Sequence, residues 1–157
     1  MGVRGAIVAL GKRVAVVRAR FATRVTLGVR GAVFDEGGRV LLVKHTYVAG
    51  WYFPGGGIEG HETAGEAFAR EVAEETGVGL AGPPRLASLH LNPRVGPRDH
   101  VAFFVATAVA GARPVAAVGE IAEVGFFSPD RLPEGVTGAT RRRIGEVVAG
   151  APIDRAW

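Results

Sequence analysis

"WYFPGGGIEGHETAGEAFAREVAEETGV", Trp51 to Val78, crowds six glutamates into seventeen residues of a chain that is 48% apolar and 22% charged. Its first third, "PGGG" at Pro54–Gly57, is too rich in turn formers to be a regular element. Its remainder carries the signals of a helix. Thr63 followed three residues later by Glu66 makes a capping box, and Gly77 is a stop, so a helix is predicted from about Ala64 to Thr76. At about 100° per residue, Glu71, Glu74 and Glu75 share one sector, while Phe68, Ala69 and Val72 lie on the neighbouring, core-facing one. On the acidic face the preceding turns offer only Ala64 and Ala67, small residues that leave room for close approach.

A solvated face is the ordinary explanation for any one of these glutamates. Together they are harder to explain that way. Three acids in the last turn and a half sit at the negative end of the helix dipole, and Glu71 with Glu75 is a like-charge pair costing a further ~0.2–0.5 kcal/mol. Arg70 is the one local offset. A bound cation would compensate the arrangement. All-oxygen donors without Cys or paired His point to Mg2+ or Mn2+, not Zn2+. A carbonyl of the glycine loop can complete such a shell, because glycine lets the backbone approach a ligand closely. No "GK[ST]" follows the loop, which excludes a Walker A site.

Upstream, the period changes to two. "VTLGVRGAVFDEGGRVLLVKH" (25–45) reads as strand, turn, strand, with Val25, Leu27, Val29 and Val33 on one face and "RVLLVKH" apolar enough for a central strand. Downstream, strands are expected at 85–91, 100–109 and 123–128, and a terminal helix over "GATRRRIGEVVAG", ending at Gly150. The predicted fold class is α/β: an α/β/α sandwich with a mixed central sheet over residues 25–150, then a tail at 151–157.

Residues 1–24 form a basic arm. Ile7, Leu10, Val14, Val17 and Phe21 fall at 3-4-3-4 spacing, the stripe of an amphipathic helix expected to pack on its own domain or to serve as a homodimer arm. Attachment to anionic lipid is the functional alternative. Residues 1–34 hold seven of the nineteen Lys/Arg and no acid, which leaves the rest of the chain mildly acidic. That distribution argues against a dedicated DNA-binding protein. No apolar run is long enough for a transmembrane segment. The absence of cysteine excludes disulfides and is compatible with the expected cytoplasmic location.

Gly56, Glu62, Arg70, Glu71, Val72, Glu74, Glu75, Gly77 and Val78 match every position of "G-x5-E-x7-R-E-U-x-E-E-x-G-U", where U is aliphatic. In this the chain resembles the Nudix hydrolases over roughly residues 25–135, with "WYFPGG" and "FFSPDRLP" similar to the family's usual surroundings. The resemblance implies that Glu71, Glu74 and Glu75 bind divalent ions and that the Gly55 carbonyl is a further ligand. It implies that Arg70 orients the carboxylates and that Glu62 pairs with it or binds metal. The family's reaction is hydrolysis of the diphosphate bond in a nucleoside diphosphate linked to a group X. The general base is a box glutamate or an acid of a later loop, for which Glu120 and Glu123 are the candidates.

Members acting on ADP-ribose commonly carry a proline fifteen residues past the box, and Pro93 stands there without its usual context. The tyrosine of dinucleoside polyphosphate members is replaced by Val95. Arg94, Arg98 and His100 are candidates for phosphate or ribose; a polar surface loop explains them equally. Tyr47, Trp51 and Tyr52 are candidates for stacking on a base, with core packing the commoner role for Trp51. Arg30, opposite in parity to Val29 and Val33, is placed to line a cleft or to make an outward ion pair. The expected small-molecule substrate is an ADP-ribose-like nucleotide sugar or a (d)NTP. A non-catalytic nucleotide sensor would be expected to lose box glutamates, and none is lost. An RNA-end processing hydrolase needs a basic track, for which only the arm and Arg141–Arg143 are available.

Overall fold

The structure, a computed structural model, describes residues 25–157; the predicted N-terminal helix lies outside them. Five strands follow in chain order: β1 (Thr26–Phe34), β2 (Val40–His45), β3 (Arg85–Leu91), β4 (Asp99–Thr107) and β5 (Ile121–Phe127). Helix α1 (Ala64–Thr76) lies between β2 and β3, and α2 (Gly138–Val148) follows β5. The sheet order is β3-β4-β1-β2-β5. β1 and β4 run parallel and the other neighbours antiparallel, so the sheet is mixed, as expected.

Strand alternation divides the core into two layers. Val29 and Val33 of β1, Leu41 of β2 and Phe104 of β4 pack with Phe68 and Val72 of α1. The intervening residues, Ala32, Val40, Leu42 and Phe103, pack with Phe53 and Ile144 of α2 on the other face. Phe68 stacks nearly parallel on Phe104 at 5.4 Å between centroids. Each such large side chain contributes roughly 1.5–3 kcal/mol by leaving water. This is the predicted α/β/α sandwich. Two expectations change in detail. Val25 and Leu27 are 63% and 39% exposed, so among the described residues the β1 face is covered only from Val29 onward. In α1 the fully buried alanine is Ala67, not Ala69, and it packs into the core instead of opening the acidic face.

β1 and β2 pair at Phe34↔Val40, through a turn in which Asp35 accepts the N–H groups of Gly37 and Arg39. They then diverge, and the glycine-rich segment fills the fork between them. Tyr52 exchanges both backbone hydrogen bonds with Val43 of β2, at 2.9 Å each. Two residues on, the Pro54 and Gly56 carbonyls accept from Gly31 and Val29 of β1 at 3.3 and 2.9 Å. The loop is thereby fixed to the sheet on both sides. It cannot drift from the helix it faces.

The C-terminal end is also corrected. Helix α2 stops at Val148, and Gly150 takes a left-handed φ of 64° just beyond the cap. The following residues return to β3, where Leu91 N–H donates to Arg155 and Trp157 N–H donates to Leu91. Arg143, which the sequence offered with Arg141 and Arg142 as part of a basic track, is fully buried. It donates to Glu146 at 2.6 Å and to the Ala156 carbonyl at 3.2 Å, with the Trp157 ring over its guanidinium.

Candidate metal and nucleotide site

The loop and α1 meet face to face, and two glycines make that contact feasible. Gly55 adopts φ 140°, and a Cβ there would run into the Val29 carbonyl. A Cβ on Gly56 would overlap the Glu71 carboxylate. With both positions bare, Gly55 N–H donates to Glu75 Oε2 at 2.9 Å. The Gly55 carbonyl, the one expected to face a cation, accepts none of the described hydrogen bonds, whereas its neighbours Pro54 and Gly56 are engaged by β1.

Helix α1 presents the three carboxylates in graded burial. Its capping box is formed as predicted: Thr63 Oγ1 accepts from Glu66 N–H, and Glu66 accepts from Thr63 N–H at 2.8 Å. At the other end Glu75 is 3% exposed, Glu71 is largely covered, and Glu74 is exposed. Burial pushes the Glu75 carboxyl up to about 7, against the lowering effects of Gly55 N–H and Arg30, and Glu71 and Glu120 push it further. Burial also raises Glu71, partly offset by its hydrogen bond from Arg70.

Arg70 ties this face together. Its Nε and Nη2 donate to the two oxygens of Glu62, at 3.1 and 2.8 Å. Nη1 donates to Glu71 at 3.1 Å and to Glu74 at 2.9 Å, and Nη2 also reaches the Gly57 carbonyl at 3.1 Å. All five guanidinium N–H donors thus find an acceptor. The hydrogen bond from Arg70 holds Glu62 below the usual carboxylate range. Glu59 and Glu66 stand apart from this constellation, the first exposed in the loop and the second in the cap.

The remaining candidates divide. Glu120, exposed just before β5, brings a carboxylate oxygen within 4.8 Å of donor atoms of Glu75 and His45. Glu123 instead pairs with Lys44 across β2 and β5 at 2.7 Å. Arg30 donates to the Phe53 carbonyl at 3.0 Å, and its charge acts on both Glu75 and His45. Tyr47 is exposed, with its ring 5.0 Å from that of His45. Trp51 is buried with its ring edge-on to Phe127, a core residue and not a surface for a base. Arg94 and Arg98 are exposed on the β3–β4 loop, and no described contact links them to the carboxylates.

One residue of the site was not anticipated. His45 ends β2, is 6% exposed, and has no hydrogen-bond partner among the described residues for either ring nitrogen. Burial and the Arg30 charge lower its pKa, against a raising effect of Glu120. Counting by two from Leu41 puts His45 on the α1 face of the sheet, so a signal was present in the strand pattern.

These residues fit a divalent cation. They offer hard carboxylate oxygens of graded accessibility and an uncommitted loop carbonyl. They also include a buried carboxyl and a buried imidazole that the protein itself leaves undersatisfied.

Comparison with known proteins shows the family. The NUDIX domain family matches residues 24–146. A Bacillus subtilis (strain 168) protein named "Putative 8-oxo-dGTP diphosphatase" is 32% identical over 126 residues, covering 80% of this chain and 82% of that one. The crystal structure of a MutT NUDIX hydrolase from Burkholderia pseudomallei is 28% identical, with TM-score 0.64, covering 80% of this chain and 99% of that one. An ADP-ribose pyrophosphatase from Streptococcus suis 89-1591, 24% identical with TM-score 0.62, covers 83% of this chain and 97% of its own, and shares the fold. The chain belongs to the Nudix family and is a pyrophosphohydrolase of that family. Among the described residues no helix is long and apolar enough to cross a membrane.

Proposed function

We propose that the protein hydrolyses the diphosphate bond of a nucleoside diphosphate linked to X, with Mg2+ (or Mn2+) held by Glu71, Glu74, Glu75 and the Gly55 carbonyl. The observation that carries this reading is the direct meeting of the glycine loop with α1, through the Gly55–Glu75 hydrogen bond and the Glu71 carboxylate packed on Gly56. A bound divalent cation supplies polarisation of the phosphoryl oxygens and a lower pKa for the attacking water. The chain's own residues do the rest. Arg70 spaces Glu62, Glu71 and Glu74, so that mutually repelling carboxylates hold one geometry. Arg30 carries positive charge that acts on Glu75. Two carboxylates suit the role of proton acceptor. Glu71 has a pKa raised by burial, and Glu120 is exposed just before β5. Tyr47, exposed beside the site, suits stacking on a base.

Of the two substrate classes, a (d)NTP is favoured over a nucleotide sugar. The B. subtilis relative is named for a nucleoside triphosphate and is similar over most of both chains. The test is a panel of (d)NTPs, 8-oxo-dGTP, ADP-ribose and dinucleoside polyphosphates with Mg2+, with products separated by anion exchange. Nucleoside monophosphate and pyrophosphate from a (d)NTP are expected. Turnover confined to ADP-ribose would overturn the substrate preference, and turnover of none would overturn the reading as a whole.

A further inference from the structure

The box carboxylates do not account for His45. It is nearly sealed from water, its side chain only 4% exposed, yet neither ring nitrogen finds a hydrogen-bond partner among the described residues. A buried polar group left so costs about 1–3 kcal/mol, which argues for a partner of another kind. The ring is aimed at a carboxylate. His45 Nε2 lies 3.9 Å from Glu75 Oε1, too far for a hydrogen bond, while Glu75 Oε2 is taken by Gly55 N–H. One donor atom each of His45, Glu75 and the exposed Glu120 lies within 4.8 Å of the others. Imidazole and carboxylate donors sit about 2.0–2.2 Å from a first-row metal, so two donors on one ion are up to roughly 4.2 Å apart. The His45–Glu75 pair meets that spacing as it stands. Glu120 is exposed, and one of its oxygens lies within 4.8 Å of both.

We propose that His45 Nε2, Glu75 Oε1 and the Glu120 carboxylate form a second cation position, of mixed nitrogen and oxygen donors, that takes a transition-metal ion such as Mn2+ in preference to Mg2+. It rests on the reading of the box carboxylates as a metal site, with which it shares Glu75. Imidazole suits first-row transition metals, whereas Mg2+ keeps to oxygen donors and its own waters. Two carboxylates are required because the Arg30 guanidinium, near both His45 and Glu75, opposes a cation. The Tyr47 and Tyr52 rings lie 5.0 and 5.7 Å from that of His45.

The test uses the full chain and Mn2+ alone, with binding followed by EPR and the ligand nitrogen by electron spin-echo modulation. Bound Mn2+ should show histidine nitrogen coupling. His45→Gln should remove the coupling and weaken Mn2+ about tenfold or more, with much less effect on Mg2+ measured by competition. Glu120→Gln, at an exposed position that folding tolerates, should weaken Mn2+ while retaining the coupling. Mn2+ bound without nitrogen coupling, or unaffected by Glu120→Gln, overturns the second position and leaves the box reading intact. Mn2+ binding that is indifferent to Glu71→Gln and Glu75→Gln overturns the box reading itself.

Discussion

Glu75 carries the largest electrostatic conflict of the site: a carboxyl 3% exposed, beside Glu71 and Glu120, with one N–H and the Arg30 charge in compensation. Its pKa is raised from 4.5 to about 7, so the folded protein keeps this proton at pH values where the unfolded chain has released it. The associated stability is therefore complete below about 4.5 and lost as the pH rises through about 7, on the order of 3 kcal/mol for such a shift. In chelator, the wild type should melt lower at pH 8 than at pH 5.5, and Glu75→Gln should remove most of that difference and melt higher at pH 8. Divalent cation added at pH 8 should raise the wild-type midpoint more than the variant's. Calorimetry at the two pH values checks this; equal midpoints in wild type and variant would contradict it. The identity of this residue was legible in the box spacing. Its burial was not, because helix periodicity fixes an angular sector but not how closely a loop covers it. His45 went unread for a related reason: a lone histidine ending an apolar strand gains meaning only when α1 brings Glu75 opposite it.

At the scale of elements, α1 carries its own start and stop. Thr63, Glu66 and Gly77 mark its limits, and the observed helix, Ala64–Thr76, has the predicted ends. Thr63→Ala should cost about 1 kcal/mol of stability, the usual loss of an N-cap. Because the cap lies at the opposite end of α1 from Glu71, Glu74 and Glu75, cation affinity should change little. Urea melts and a metal titration of the same variant test both halves, and loss of metal binding without loss of stability would refute the separation. The strands were legible for the same reason as the helix, since each has a clean period. The wedge was not. Nothing in "WYFPGGG" shows that Tyr52 pairs with β2 while Pro54 and Gly56 pair with β1, because those bonds depend on where two strands diverge. Of the two roles the sequence offers Trp51, base stacking and the commoner core packing, the structure shows the second, because the loop turns it into the α2-side core.

For the whole molecule, the two faces of the sheet have separate tasks. The α1 face bears the carboxylates, and the α2 face bears a buried polar lock. In that lock Arg143 joins Glu146, His90 and the Ala156 carbonyl and draws the chain end onto β3. Arg143→Ala strands a buried Glu146 and should cost about 3–5 kcal/mol in urea unfolding. A loss below 1 kcal/mol would show the lock to be incidental. The sequence could not reveal it, since "TRRRIGEVV" offers three arginines and only α2's docking decides which one is enclosed. The fold class and the box, by contrast, rest on local spacing that one sequence displays. The proposed function requires the helix carboxylates to hold the cation that drives diphosphate hydrolysis. Its most direct test is the Mg2+-dependent turnover of Glu71→Gln on whichever (d)NTP the wild type cleaves, measured beside the melting temperature. Turnover should fall by about a thousandfold or more, the scale of removing a principal electrostatic element of a transition state, with melting temperature equal or higher. Turnover near the wild-type rate in the folded variant would contradict the account.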